Sequence, residues 1–336
     1  MKNYKALFAM LFMTLITSSA SLVAYTFYQV KRPLDIATTQ LLTIEDGTSF
    51  SHFSKQLIKE GWIDNRFWLR NYVRLKPEYA NIKAGTYKID KDSSVQSLLV
   101  QLVTGKEHQF SVTFIEGTTF KEWLVQLNKM EKIIHTIKQS SIADIAKMLS
   151  ISRSNPEGLF YPETYAFTAG TTDLQLLKRA QHKMSVELDS AWENRAQPLP
   201  YNNKYEALTM ASIIEKESGK NAEHGIISSV FVNRLNINMR LQTDPTIIYG
   251  LGDRYKGDIK RKHKREKTAY NTYRINGLPP TPIAMPGKSA IHAALNPLAT
   301  DYFYFVSNGN GQHIFSTNLK DHNTAVTKYQ LNQKTQ

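Results

Sequence analysis

Two carboxylates, Glu215 and Glu217, stand near the end of the stretch Ala207-Leu208-Thr209-Met210-Ala211-Ser212-Ile213-Ile214-Glu215-Lys216-Glu217-Ser218-Gly219. Met210, Ile213, Ile214 and Glu217 recur at three- and four-residue spacing, which predicts a helix carrying them on one face. At about 100° per residue, Glu217 falls within the apolar arc of Ala207, Met210, Ile213 and Ile214. Glu215 points away from it, beside Leu208 and Ala211. Gly219 is expected to stop the helix, because glycine adopts the left-handed conformation that ends many helices. A carboxyl on a core-facing stripe in a last turn is disfavoured as an anion twice, by burial and by the partial negative charge of the helix end. A carboxylic acid kept protonated near neutral pH can hand a proton to the leaving oxygen of a glycosidic bond. The same residue could instead end the helix, turn outward and pair with a lysine, since structural pairs also perturb carboxylates.

Several segments must position these acids. A partner helix is expected with Ile226, Ile227, Val230, Phe231 and Leu235 on its buried face. Beyond it polar and aromatic residues gather: Gln242, Thr243, Asp244, Tyr249, Tyr270, Asn271, Thr272 and Tyr273. Pro279, Pro280 and Pro282 cannot pair as regular structure and suit a rigid cleft wall. Upstream, Glu157-Gly158-Leu159-Phe160-Tyr161-Pro162-Glu163-Thr164-Tyr165-Ala166-Phe167 sets aromatics beside a proline and the acid Glu163. That composition fits a sugar-lined cleft or a turn packed on the core. A long amphipathic helix is expected around Leu174 to Trp192. Near the C-terminus, Tyr302 to Val306 and His313 to Ser316 read as a hairpin across Asn308-Gly309-Asn310-Gly311, with the final helix beginning at His322-Asn323.

In chain order, Ala211-Ser212-Ile213-Ile214-Glu215-Lys216-Glu217, Val230-Phe231-Val232-Asn233-Arg234-Leu235 and Met239-Arg240-Leu241-Gln242-Thr243-Asp244-Pro245-Thr246 are followed by Tyr249-Gly250 and Ala269-Tyr270-Asn271-Thr272-Tyr273. Gly277-Leu278-Pro279-Pro280 and Pro282-Ile283-Ala284 complete the series. Together these motifs closely resemble the endolytic murein transglycosylase family (MltG, YceG-like). The resemblance implies a carbon–oxygen lyase of the lytic transglycosylase class (EC 4.2.2) with its catalytic Glu at Glu217. It would cut the bond between N-acetylmuramic acid and N-acetylglucosamine in nascent peptidoglycan strands and end strand elongation. The residues expected to bind substrate are Gln242, Thr243, Asp244, Tyr249, Tyr270, Asn271, Tyr273 and Glu163. Two rivals stay open: a lysozyme-like hydrolase pairing Glu217 with Asp244 or Glu223, and a non-catalytic, membrane-anchored glycan-binding scaffold.

The rest of the chain sets the context. The 336 residues suffice for one large or two ordinary domains, and 41% apolar with 11% aromatic residues suits a packed protein. Cysteine is absent, which excludes disulfides and a thiol nucleophile. The nine histidines show no H-E-x-x-H or similar spacing, so no metal and no cofactor is expected. Ala6 to Val30 carries no charge and reaches roughly 37 Å as a helix, enough to span a hydrocarbon core of ~30 Å. A retained single-pass anchor in the cell inner (plasma) membrane is expected, with the N-terminus cytoplasmic and the remainder periplasmic or otherwise extracytoplasmic. The rival is a cleaved signal peptide.

The net charge of +13 calls for an anionic partner. Nucleic acid is not expected, because no motif for it occurs. An anionic membrane surface or the carboxylates of peptidoglycan stem peptides fit, and peptidoglycan synthases (penicillin-binding proteins) are further expected partners by resemblance. Part of the charge lies in Arg254 to Lys267, which reads as a solvated loop. The expected architecture is α+β. A cytoplasmic N-terminus over 1–5 and an anchor over 6–30 precede a small βααβ domain over 38–106, similar to a LysM-like unit, and a mixed α/β catalytic domain over 107–332.

Overall fold

The computed structural model describes residues 2–331, with side-chain surroundings over 4–330. Met1 and Asn332, where the expected N-terminal tail begins and the expected catalytic segment ends, lie outside them. The chain divides into two compact units, Met1–Phe110 with Ala166–Gly170, and Ser111–Tyr165 with Thr171–Gln336. Helices and three two-stranded sheets make it a mixed α and β protein.

The first unit opens with helix α1 (Lys2–Lys31). Over Tyr4–Lys31 it is long and apolar enough to cross a membrane, and its apolar window is free of protein cover. Only its last turns face inward: Thr26 and Val30 are buried, and Phe27 meets Tyr72 edge-on at 5.5 Å. Strand β1 (Gln40–Ile44) pairs antiparallel with β2 (Gly85–Ile89), Gln40 opposite Ile89 and Ile44 opposite Gly85. Between them lie α2 (Phe50–Lys59), capped by the Ser49 side chain on the His52 N–H, and α3 (Phe67–Leu75). Leu42, Ile44, Phe53, Leu57, Trp68, Leu69, Tyr72, Tyr87 and Ile89 close one core. Phe67, by contrast, lies exposed. Helix α4 (Val95–Thr104) starts in a Ser94–Ser97 capping box and stops at Gly105, whose φ of 72° is the left-handed conformation that glycine tolerates.

In the second unit, β3 (Phe110–Thr113) leads to α5 (Phe120–Asn128), opened by a Thr119–Glu122 capping box. Short α6 (Ile142–Met148) precedes β4 (Thr164–Phe167), the partner of β3, and α7 (Asp173–Glu193) follows. Helices α8 (Lys204–Glu217), α9 (His224–Asn236) and α12 (Lys288–Leu295) enclose the main core, with α10 (Asp244–Leu251) and α11 (Arg261–Arg265) between the last two in sequence. Met210, Ile213, Ile214, Phe231, Ala290, Ile291 and Leu295 share this core. Strands β5 (Tyr304–Ser307) and β6 (His313–Ser316) form the expected hairpin, Tyr304 opposite Ser316. Helix α13 (Leu319–Val326) begins three residues before His322, because Asn318 caps it by accepting from the Asp321 N–H.

Two expectations change, and one open alternative is decided in favour of the packed turn. Helix α8 is not amphipathic along Ala207–Ile214, since all eight residues there are buried, Leu208 and Ala211 included. Gly219 does not stop it by a left-handed turn. The cap is Ser218, extended at φ −141° and ψ 129°, whose hydroxyl accepts from the Lys220 N–H at 3.1 Å. The aromatics after Glu157 wall no cleft: Phe160, Tyr161 and Tyr165 are buried, and Phe160 stacks on Phe120 at 4.9 Å.

Candidate active site

The end of α8 delivers both acids to half-buried positions. Glu217 accepts a hydrogen bond from the Thr243 hydroxyl, on the residue that leads into α10. Its carboxyl is held above the ordinary carboxylate range, first because packed side chains strip it of water and then because Asp244 repels its charge. The Thr243 hydroxyl, His313 and Arg234 oppose the shift. The acid therefore keeps a donatable proton to higher pH than a free Glu.

Glu215 is also raised by burial, against the opposing hydrogen bond from the Gly287 N–H, which reaches its Oε2 at 2.9 Å. A Cβ on Gly287 would push against the Glu116 carboxylate, so a larger residue there would require that exposed side chain to move aside. Lys216 donates to the Gly117 carbonyl at 3.0 Å. Glu215 thus faces the loops around Gly117 and Gly287, not open solvent.

Around Glu217 the structure assembles four of the expected residues, Gln242, Thr243, Asp244 and Tyr273. Thr243 touches it directly. Asp244 accepts from the Tyr273 hydroxyl at 2.7 Å, and Lys264 Nζ lies 3.0 Å from the same Oδ1. Gln242 is exposed beside them, at a φ of 52° that is rare for a residue with a side chain. The tie that fixes this bend is its N–H, donated to the Thr272 carbonyl at 3.2 Å, next to the Thr243 N–H on the Thr272 hydroxyl at 3.0 Å.

The other expected residues go elsewhere. Tyr249 packs on Tyr270, ring centroids 5.0 Å apart and planes tilted at 56°, and the Tyr270 hydroxyl bonds to Thr281. Glu163 is exposed and paired with Lys183 of α7. Asn271 is buried, and its amide donates to the carbonyls of His263, Lys264 and Glu266, at 3.0, 3.3 and 2.6 Å. It holds the basic segment and offers no free group to a cleft. Within that segment, read from sequence as a solvated loop, Arg261–Arg265 is the short helix α11, tied down at its end, while most of the cations remain exposed.

Sequence reasoning gave Lys264, Arg234 and Glu157 no role at the site and named Glu223 only as the second acid of a rival hydrolase. Lys264 was read only as part of a charge run. Arg234, buried on α9, donates to the carbonyls of Phe303 and Leu241, both at 2.6 Å, and so joins the hairpin to the Gln242 bend. Glu223 accepts the His313 N–H at 2.9 Å, pairs with His313 Nδ1 at 2.8 Å and accepts the Ser218 hydroxyl at 3.2 Å. Burial opposes its ionisation, but these bonds leave its carboxyl below the ordinary range. Glu157, only 3% exposed, accepts the Phe120 N–H at 2.9 Å and the Tyr249 hydroxyl at 3.1 Å, and burial raises it to about 7. An acid amid aromatics, glycine and proline was the available signal for Glu157. Among the described residues no group of three or more His, Asp or Glu is placed to hold a metal ion.

Known proteins resemble this chain over most of its length. The YceG-like family pattern matches residues 42–328. A Bacillus subtilis (strain 168) protein named endolytic murein transglycosylase is 31% identical over 315 residues, covering 88% of this chain and 86% of that protein. A protein of the same name from Streptococcus pneumoniae serotype 2 (strain D39) is 27% identical over 88% of this chain, which spans only 60% of that longer relative. The crystal structure of a YceG-like protein from Listeria monocytogenes superposes with a TM-score of 0.52 at 29% identity, covering 85% of this chain and 98% of that one. With the family pattern running from β1 into the residues after α13, the chain belongs to the YceG-like family.

Proposed function

We propose that this protein is an endolytic murein transglycosylase in which Glu217 acts alone as acid and then as base. It protonates the oxygen between N-acetylmuramic acid and N-acetylglucosamine as that bond to the muramic C1 breaks. The resulting carboxylate takes the proton of the muramic C6 hydroxyl while O6 bonds to C1, closing a 1,6-anhydro ring without water and restoring the acid. Cutting within nascent strands in this way would end their elongation.

One observation carries the single-acid reading. The carboxylates that a hydrolase would recruit are already engaged: Asp244 by Lys264 and Tyr273, Glu223 by His313 and Ser218. Glu217 accepts a rotatable hydroxyl from Thr243 and is held above its ordinary range by burial. Gln242, exposed beside Glu217, with Asp244 and Tyr273 next to it, would meet sugar, Thr243 would hold the Glu217 carboxyl, and Asn271 would fix the helix from which Lys264 reaches Asp244. The names of the Bacillus and Streptococcus relatives support the same reading.

The β1–α2–α3–β2 order supports a LysM-like unit that binds glycan chains. Helix α1 suits a single-pass anchor with the remainder outside the cytoplasm. Its uncovered part, up to about Tyr25, is some 30 Å long, the thickness of a hydrocarbon core. Peptidoglycan synthases remain proposed partners. The test is to incubate the full chain with purified murein strands and identify the new ends by mass. Anhydromuramic ends support the proposal. Hydrolysed, reducing ends would point to a second carboxylate, and no new ends to a glycan-binding scaffold.

A further inference from the structure

The segment Arg254 to Lys267 holds eight Lys and Arg residues against Asp258 and Glu266, close to half of the whole chain's net charge of +13. A freely solvated loop would spread such charge and keep it mobile. Here the backbone is fixed, by the Asn271 amide on three of its carbonyls and by Lys264 reaching inward to Asp244 and Tyr273. The tie leaves the other cations outward. Arg254 pairs with Glu266 at 2.9 Å, but Lys262 and Arg265 are exposed and have no carboxylate partner among the described residues. Leu251, Arg254, Lys262, His263, Arg265 and Glu266 line one open cleft. The fixed backbone holds Lys262 and Arg265 on one side of the cleft, so an anion has to order only their side chains, and guanidinium suits carboxylate geometry.

Resting on the transglycosylase reading, we propose that this cleft binds the free carboxylates of the peptide side chains on the murein strand whose sugars lie at Glu217. The occupant follows from the connection. Lys264 belongs to the same short helix as Lys262 and Arg265, and its ammonium touches the aspartate that follows Thr243, the residue bonded to Glu217. An anion in the cleft therefore sits beside whatever polymer occupies the site, and on murein that anion is a peptide carboxylate. The cleft would make the enzyme prefer strands that still carry peptides.

The test uses the full chain in phosphatidylcholine nanodiscs, with peptide-bearing and amidase-stripped strands as probes. Two exposed charges contribute modestly, so wild type should bind peptide-bearing strands about threefold to tenfold more tightly at low salt. The preference should fade as the Debye length shrinks to about 3 Å near 1 M salt. The double variant Lys262→Ala/Arg265→Ala should bind both strands alike and cleave stripped strands at the wild-type rate. A control lacking Lys256 and Lys267, which do not line the cleft, should keep the preference. A double variant that retains the preference, or a wild type without one, would refute the proposal. Phosphatidylglycerol discs that abolish the wild-type preference while leaving the variant unchanged would assign the cleft to lipid headgroups instead. Binding is read without turnover, so stripped strands that bind but are never cut would count against the transglycosylase reading alone.

Discussion

Glu217 and Glu157 are the same group pushed in the same direction by the same cause, and they sit in opposite kinds of place. Each is raised by burial, and each accepts a hydroxyl from α10 or its threshold, Thr243 for Glu217 and Tyr249 for Glu157. Glu157 is sealed, with a backbone N–H on its other oxygen and Asn155 donating to Tyr249 at 2.9 Å behind it. Glu217 is half-open, with charged neighbours and no backbone donor bonded to it. A raised carboxyl is therefore no sign of chemistry by itself. Access and an unfilled valence separate the acid that can meet a substrate from the acid that ties two segments together.

Substitution at Glu217 should produce the largest effect and break the comparison most directly. Glu217→Gln should retain the fold and lower the cleavage rate by about 10²–10⁴-fold or more, as loss of a general acid does. Near-normal release of anhydromuramic ends by that variant would remove Glu217 from the reaction. Activity of the wild type should fall as pH rises through the elevated value of Glu217, because the donatable proton is then gone.

Glu157 should act on stability instead. Its carboxyl stands at about 7 in the folded chain against an ordinary 4.5. Between those values the folded state keeps a proton that the unfolded chain has released, so stability is complete below the window and declines as pH rises through it. The loss is on the order of 3 kcal/mol, from 1.36 kcal/mol per unit. Urea midpoints of wild type and Glu157→Gln should therefore converge or cross between pH 4.5 and 7. Parallel profiles would show that Glu157 stays ionised.

Asn271→Ala comes next. Read from sequence as a substrate contact, Asn271 would on loss lower cleavage more than melting temperature. With three carbonyls depending on its amide, both should fall, stability by about 1–3 kcal/mol for unsatisfied buried groups. A cleavage defect at unchanged melting temperature would return Asn271 to the cleft. Glu215→Gln should matter least, within a few-fold in rate, because glutamine Oε1 can still accept the Gly287 N–H. Activity lost only in that variant would exchange the roles of the two acids.

Local signals in the sequence carried the fold well and the site unevenly. β1 and β2 flank two helices in the expected βααβ order, and the Ser49, Ser94 and Thr119 caps open helices where polar side chains precede apolar runs. Helical periodicity singled out Glu217, but on a premise that fails. With α8 enclosed on every side over Ala207–Ile214, its apolar pattern cannot say which face is outside. Partnerships between distant residues were illegible for a different reason. Lys264 with Asp244, Arg234 with Phe303 and Glu223 with His313 each depend on how α9, α10, α11 and the hairpin pack. The aromatic segment after Glu157 stayed open between core and cleft because core and sugar platform use the same side chains.

The Asn271 amide grips carbonyl oxygens, which every amino acid supplies. The gripped segment is thereby released from most demands on its own sequence. Lysines and arginines along α11 could be exchanged for neutral or acidic residues, Lys264 apart, without loosening the anchor. Evolution, or an engineer, thus has a cassette whose charge can be rewritten to suit another wall polymer while the backbone beside Glu217 stays where it is.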